Sequence, residues 1–527
     1  MNFLKQAERR HFLSVVGTTA LLGAVPGLAQ TRKGTSGASV PSDFKPDLEL
    51  ELRAESAMVP IWPGPPTSVW RYRANVLRGD AHAVTNSTSG YLGPIIRVHR
   101  GTRVRIHFIN QLPQPSVVHW HGLIVPEEMD GHPRRAVPAG GRYVYEFEVR
   151  NRAGTYWFHP HPHQLTGMQV YGGLAGIFIV ADDEEKALNL PDGERDVPIV
   201  IQDRSFTPDN QLRYIGNEPG MPGMMAQMMG FLGDQILVNG RPNFALEVER
   251  KPYRLRLLNG SNSRIYKLAW QDGSPMTVIG SDGGLLEVPT QKSYVTLAPA
   301  ERVELWVDFS SRAAGEDLSL LSLPLSQPQA NMMMGGMGMM GRSGPATSAR
   351  PITVLRARVG RGAPAPGSLP SKLATFAPLL LKDAINQASP RVFRVTMGHM
   401  RLGLNGRMFE MQDVARDEVV RLGTTEVWEF VNEAFMGMMG GMPHPMHVHG
   451  VQFRVVGRRV LPNATAGWRD VSEGYVDEGW KDTVLLMPGE RVRLLMRFAD
   501  YPGMFLYHCH NLEHEDMGMM RNFLIKA

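Results

Sequence analysis

The chain of 527 residues contains a single cysteine, Cys509. One thiol excludes an internal disulfide framework and any Cys-rich zinc or iron–sulfur site. By frequency alone a lone cysteine is a buried hydrophobe, and otherwise a ligand or nucleophile. Charge of one sign is also lacking: 56 Lys and Arg face 51 Asp and Glu, a net of +5. The first 29 residues hold Lys5, Arg9, Arg10 and Glu8, so about +3 remains without them, too even a balance for a nucleic-acid binder. Long apolar runs are missing as well. Mean hydropathy is −0.20, and the run from Leu13 to about Leu28 falls short of the roughly 20 residues a membrane span requires. Histidine is absent between His163 and His399. What is present suffices for buried cores: 43% hydrophobic and 20% charged residues, over a length that suggests about three domains.

The start of the chain reads as an address. Arg9-Arg10-His11-Phe12-Leu13 leads into the short apolar run, and Ala29 offers a small-residue cleavage site, which together describe a secretory signal over 1–29. The arginine pair followed by Phe-Leu looks like the twin-arginine export signal, so the expected destination is the periplasm, reached after folding. Residues 30–45 read as a mature N-terminal tail.

The remainder repeats itself. Val98 to Asn110 and Val420 to Asn432 are both 12 residues apart, with near-alternating apolar residues between; Val248 to Asn259 is a copy one residue shorter. Each window is expected to form a β-strand. Gly154-Thr-Tyr-Trp-Phe-His-Pro-His161 matches Gly503-Met-Phe-Leu-Tyr-His-Cys-His510 in spacing. Short strands, 55 Gly and 39 Pro point to an all-β protein of β-sandwiches. The expected domains are 45–182, 195–358 and 373–527, joined by linkers at Asp182–Asp196 and Gly360–Ser371.

Seventeen histidines placed at random would give roughly half of one His-x-His pair. The chain has five, at 119/121, 159/161, 161/163, 447/449 and 508/510, all in the first and last thirds. On a strand, residues i and i+2 share a face, so each pair aims two imidazoles at one place. Four convergent pairs supply eight imidazoles, donors suited to copper, zinc, iron or nickel. His11, His82, His99, His107, His132 and His399 read as ordinary satisfied histidines, and His163 fits no ligand slot.

Cys509 lies between His508 and His510 and points to the opposite face. His514 and Met519 follow it, and His444 opens a His-Pro-Met-His-Val-His stretch. Two imidazoles, a thiolate and a weak thioether make a blue-copper electron-transfer set. The first domain has Pro160, Leu165 and Val170 at the matching positions, so one such site is expected, in the last domain only. The eight other imidazoles can hold three coppers, arranged three, three and two. The backbone through Cys509 gives a covalent route between the sites of order 10 Å, at about 3.3 Å per residue plus side chains.

These motifs, His119-Trp-His-Gly, His159-Pro-His, His444-Pro-Met-His-Val-His and His508-Cys-His-Asn-Leu-Glu-His-Glu-Asp-Met-Gly-Met519, closely resemble the multicopper oxidases, the laccase and cuprous-oxidase family, over about residues 45–527. The resemblance implies three cupredoxin-like Greek-key domains and about four coppers. It places His119 and His447 on the type 2 ion. His121, His159, His161, His449, His508 and His510 fall to the type 3 pair. His444, Cys509 and His514 fall to type 1, with Met519 axial. Asp130 and Glu515 match the family's acidic proton relay, a role suited to carboxylates near metal-bound oxygen; the plainer alternative is that they orient ligands. No ligand position is missing, which argues against copper-free relatives that keep the fold as scaffolds. Dioxygen, with Cu(I) or small aromatic compounds as donors, is the expected substrate set for a monomer without nucleic-acid partners.

Three Met-Gly tracts stand out among 31 Met: Met221–Met229, Met332–Met340 and Met436–Met446. None has helical or strand periodicity, which makes core packing a poor account of them. The third contains six residues that the first domain lacks, ending at His444. Thioether sulfur favours cuprous copper, so Met436, Met438, Met439 and Met442 are candidate Cu(I) ligands; a flexible or apolar donor-facing loop is the alternative. Bacterial copper-efflux oxidases are similar in their Met-rich insertion, but carry Asp where this chain has Gly440.

Overall fold

The computed structural model describes residues 43–88, 90–214, 223, 227–325, 350–398, 401–433 and 441–527. The export signal at 1–29 lies outside them, as do Met436, Met438, Met439 and the tract 332–340. Among the described residues no helix is long and apolar enough to cross a membrane.

The strands form six sheets, paired into three sandwiches. In the first, Thr67–Arg78, Leu48–Val59, Arg103–Asn110 and Arg142–Glu148 face Val84–Thr85, Ile95–His99, Gly176–Ala181, Gly154–Pro160 and Val118–His121. Alternation directs the packing. Leu48, Leu50, Leu52 and Ala54 turn inward against Trp120, Phe158 and Phe178, while Glu49, Glu51 and Arg53 turn out. The middle sandwich is built on Asp196–Arg204 and Pro252–Asn259, the last on Arg391–Gly398 and Thr425–Val431. Each of these couples pairs in parallel, as Leu48–Val59 and Arg103–Asn110 do. The same connection recurs three times, as the cupredoxin-like reading requires.

The repeated windows turn out to be more than single strands. Val98 lies one residue from the end of Ile95–His99 in one sheet, and Arg103–Asn110 begins in the other. Val248 ends Ala245–Val248 and Val420 lies within Val419–Arg421, each just before the chain crosses to the facing sheet. The turn is the reason. Gly101 (φ 89°) and Gly423 (φ 82°) take a left-handed conformation that other residues resist. The window is thus a sandwich corner.

The asparagine that ends each window locks that corner. Asn110 donates to the carbonyls of Gln114 and Val137, Asn259 to those of Arg264 and Leu297, and Asn432 to those of Met442 and Leu486. All three side chains are buried.

Each sandwich has its own apolar core. Two of the short helices flank the histidine motifs, Thr166–Tyr171 after the first domain's last His-x-His pair and Leu512–Asp516 after Cys509. Leu165, at the N-cap of the first helix, makes no side-chain cap bond. Asp516 replaces it, accepting from the N–H groups of Thr166 (3.0 Å) and Gly167 (2.8 Å).

Asn259→Ala tests the corner. It strips two buried carbonyls of their partner, and the expected cost is about 2–4 kcal/mol. Denaturant unfolding should show it while copper content stays unchanged, since that sandwich contributes no histidine.

Candidate metal centre

Strand register carries the histidines to one interface. His119 lies opposite His159, and His447 opposite His508. Met446 lies opposite Cys509, on the other face of the same strand pair. As alternation requires, Cys509, Met446 and Met519 sit in the core of the last sandwich, and the paired imidazoles of that domain face those of the first. Each of the twelve ligands predicted for the type 1, type 2 and type 3 ions is at most 2% exposed.

Three groups of imidazoles result. His119 Nε2 is 3.3 Å from His447 Nε2. His159 Nε2 is 3.4 Å from both His121 Nδ1 and His510 Nε2. His508 Nε2 is 3.3 Å from His161 Nε2 and 3.1 Å from His449 Nε2.

For six of the eight rings the far side fixes the tautomer. Carbonyl oxygens only accept, so a ring nitrogen bonded to one carries the proton. His119 Nδ1 donates to the Asp130 carbonyl (2.7 Å) and His447 Nδ1 to that of Asp482 (2.8 Å). Their Nε2 atoms, which face each other, are therefore bare. His159 Nδ1 donates to the Pro160 carbonyl, and His121 Nε2 to the Asp482 carboxylate (3.1 Å), leaving His159 Nε2 and His121 Nδ1 bare and opposed. His508 Nδ1 is bonded to the Cys509 carbonyl and His449 Nδ1 to the Asp130 carboxyl, again with bare nitrogens inward. Lone pairs facing at these distances repel unless a cation lies between. Two nitrogens about 2.0–2.1 Å from one ion at a near-tetrahedral angle stand about 3.3 Å apart. Burial keeps the rings neutral and ready to ligate, holding His159 down at about 3 and His161 at about 4. The residues fit a metal cluster.

The fourth group is of another kind. Cys509 Sγ lies 3.4 Å from His444 Nδ1 and 3.6 Å from His514 Nδ1. His514 is brought back to the thiol by the helix Leu512–Asp516, which Asn511 caps by accepting from the His514 N–H. His514 Nε2 donates to the Met228 carbonyl, so its Nδ1 is bare toward the sulfur. Met519 is fully buried in the same core, and its backbone bonds those of Cys509 and His514. Burial pushes the Cys509 thiol up, with the charges of Glu515 and Glu513 adding to it, so a metal must displace its proton.

The two predicted acids both touch cluster imidazoles. Asp130 Oδ2 is 2.7 Å from His449 Nδ1, while Oδ1 has no partner. Burial, then the Glu127 charge, raises this carboxyl well above its usual range. Glu515 stands 3.2 Å from His508 Nδ1 and 3.5 Å from His161 Nε2. Burial raises it, but the His161 and His508 rings outweigh that and bring it down to about 2.

Other expectations resolve more plainly. His132 is buried between Asn522 and the Arg134 N–H, a satisfied core histidine. His107 pairs with Glu49. His163 is half-buried beside Phe409. The expectation that the methionine tracts lie outside cores fails for their described ends, because Met228, Met442 and Met446 are buried. Met442 sits against the same core as Cys509, its carbonyl held by Asn432. Two functional-site residues carried no sequence signal. Asp482, in an ordinary Lys-Asp-Thr run, holds His121 and His447. Glu513 is a buried carboxylate that accepts from Tyr214, Asn262, Ser263 and the Phe231 N–H, and so moors the residue before His514 to the middle domain.

Three cupredoxin-like sandwiches with one thiolate site and eight facing imidazoles define a copper protein with type 1, type 2 and type 3 ions. Comparison with known proteins gives the family. Multicopper oxidase models match residues 69–185 and 384–527. A laccase of Bacillus stratosphericus is 31% identical, over 87% of this chain and 90% of its own. The cell division protein FtsP of Escherichia coli is 30% identical, over 98% of both. The crystal structure of the McoA multicopper oxidase of Aquifex aeolicus superposes with a TM-score of 0.74 at 32% identity, covering 92% of this chain and 97% of that one. The chain belongs to the multicopper oxidases.

Cys509→Ser should abolish blue absorption and turnover while the eight imidazoles keep their copper. Visible spectroscopy with metal analysis checks this; a surviving blue band would refute the thiolate assignment.

Proposed function

We propose that this is an exported, monomeric oxidase that takes electrons singly from Cu(I) and small phenolic donors and reduces dioxygen to water. The observation that carries the reading is the position of Cys509. It lies between His508 and His510, and those rings face two different imidazole groups, so one strand joins the thiolate site to both. In this reading His444, Cys509, His514 and Met519 hold type 1 copper, and His119 with His447 holds type 2. The groups His121, His159, His510 and His161, His449, His508 hold the type 3 pair. Bound copper supplies one-electron acceptance at the thiolate and four-electron delivery to dioxygen among the eight imidazoles.

The chain's own residues supply exclusion and protons. The ligands are buried at the interface of two sandwiches, which limits side reactions. Asp130, its carboxyl pushed well above the usual range and its Oδ1 without a hydrogen bond, keeps its proton to higher pH than a free carboxyl and holds it beside His449. Glu515, held down at about 2, stays ionised beside His508 and His161, a fixed negative charge that draws protons toward the cluster. Release of Asp130's proton requires rising pH, so oxidation should slow as pH climbs through its raised pKa. Asp130→Asn should slow dioxygen reduction about 10²–10⁴-fold, the range for losing a positioned acid, and leave the blue band in place.

The cuprous donor is supported by Met442, buried against the type 1 core at the end of the Met-Gly insertion. A general laccase is the second reading, favoured by the laccase relative. A copper-binding role without turnover is the third. Purified protein should hold about four tightly bound coppers and consume dioxygen; a fully loaded sample that consumes none with any donor refutes the enzyme. Deleting 332–340 and shortening 436–442 should depress Cu(I) oxidation more than phenol oxidation. Unchanged Cu(I) oxidation would leave the general laccase.

A further inference from the structure

The middle sandwich has no histidine, yet one of its side chains grips the carboxylate that holds a cluster imidazole. Arg302 opens the strand Arg302–Asp308 and its side chain is fully buried. All five of its guanidinium N–H groups are used. Nε donates to the Thr155 carbonyl (3.0 Å) in the first domain. Nη1 donates to the Ala300 carbonyl (3.0 Å) and Asp482 Oδ1 (2.7 Å). Nη2 donates to the Asp282 carbonyl (2.9 Å) and Asp482 Oδ2 (2.5 Å). The pair with Asp482 is the two-point fork that only arginine offers.

Asp482 in turn holds one imidazole from each outer domain. Its Oδ1 accepts from His121 Nε2 (3.1 Å) and from Thr483 Oγ1 (2.9 Å), and its backbone carbonyl accepts from His447 Nδ1 (2.8 Å). Because His121 donates through Nε2, it presents Nδ1 to His159, whereas His119, His447, His159 and His508 present Nε2. The glycine after His121 fits this arrangement. Gly122 has φ 83°, and a Cβ there would lie 2.4 Å from Asp482 Oδ2 and 2.8 Å from Arg302 Nη2.

We infer that Arg302 is a positioning residue for the cluster, fixing through Asp482 the tautomer in which His121 offers Nδ1 to metal. The inference rests on the copper reading above. Without the fork, the carboxylate rotates away from His121 Nε2 and leaves it only the Thr483 hydroxyl (3.2 Å), which donates as readily as it accepts and so selects neither tautomer. Lysine keeps the charge but has three donors at a single point, so it cannot hold both oxygens and the Thr155 and Asp282 carbonyls together.

The test uses Arg302→Lys in the whole chain. In copper-free protein with 15N-histidine, proton–nitrogen correlation, assigned against His121→Gln, should place the His121 proton on Nε2 in the parent and on both nitrogens in the variant. On loading, the variant should keep its blue band but bind cluster copper about 10–100-fold more weakly, the usual cost of losing a ligand's orienting partner. If Arg302→Lys does not fold, Arg302→Met combined with Asp482→Asn removes both charges together, and should fold and show the same two changes. A parent proton on Nδ1, or a folded variant with the parent's tautomer and cluster affinity, overturns the inference. A parent that binds no cluster copper refutes the copper reading instead, and the tautomer measurement still judges Arg302.

Discussion

Bare imidazole nitrogens face one another at 3.1–3.4 Å, within and between the outer sandwiches, where the two meet. This is an arrangement at odds with itself until cations enter, and the rest of the molecule is organised to hold it. Backbone carbonyls of Asp130, Pro160, Asp482 and Cys509 take the outer ring protons, so the inward nitrogens have no alternative tautomer. Dry surroundings then keep the rings unprotonated. Repulsion among the ligands is a cost of the folded chain that metal binding converts into affinity.

The middle sandwich is where that cost is offset. It supplies no ligand, but it anchors both ends of the site. Arg302 reaches Asp482 behind the cluster, and Asn262, Ser263 and Phe231 grip Glu513 beside His514. Without histidine, this third of the chain offers no imidazole to a metal. Its buried charges are instead paired with residues of the outer domains, an expensive placement that is stable only because each donor is matched.

Much of the fold was legible because its signals are local and periodic. Alternating apolar residues gave the strands, spacing gave the repeat, and the i, i+2 rule placed Cys509 in the core opposite its neighbours. The corner was misread as one strand because alternation continues across Gly101 and Gly423; glycine was the signal to stop. Arg302, Asp482 and Glu513 were invisible for a different reason. Their partners lie 180, 361 and 251 residues away, and such pairings leave no pattern within any window of sequence. The inward burial of Met442 and Met228 was missed because Gly-rich tracts hide which sulfur faces a core.

The helix Leu512–Asp516 is the meeting point of all three domains, with Glu513 held by the middle one, Asp516 capping a helix of the first, and His514 turned to Cys509. Five residues thus make the thiolate site depend on all three domains, so a change that loosens either contact acts on His514 from outside its own domain.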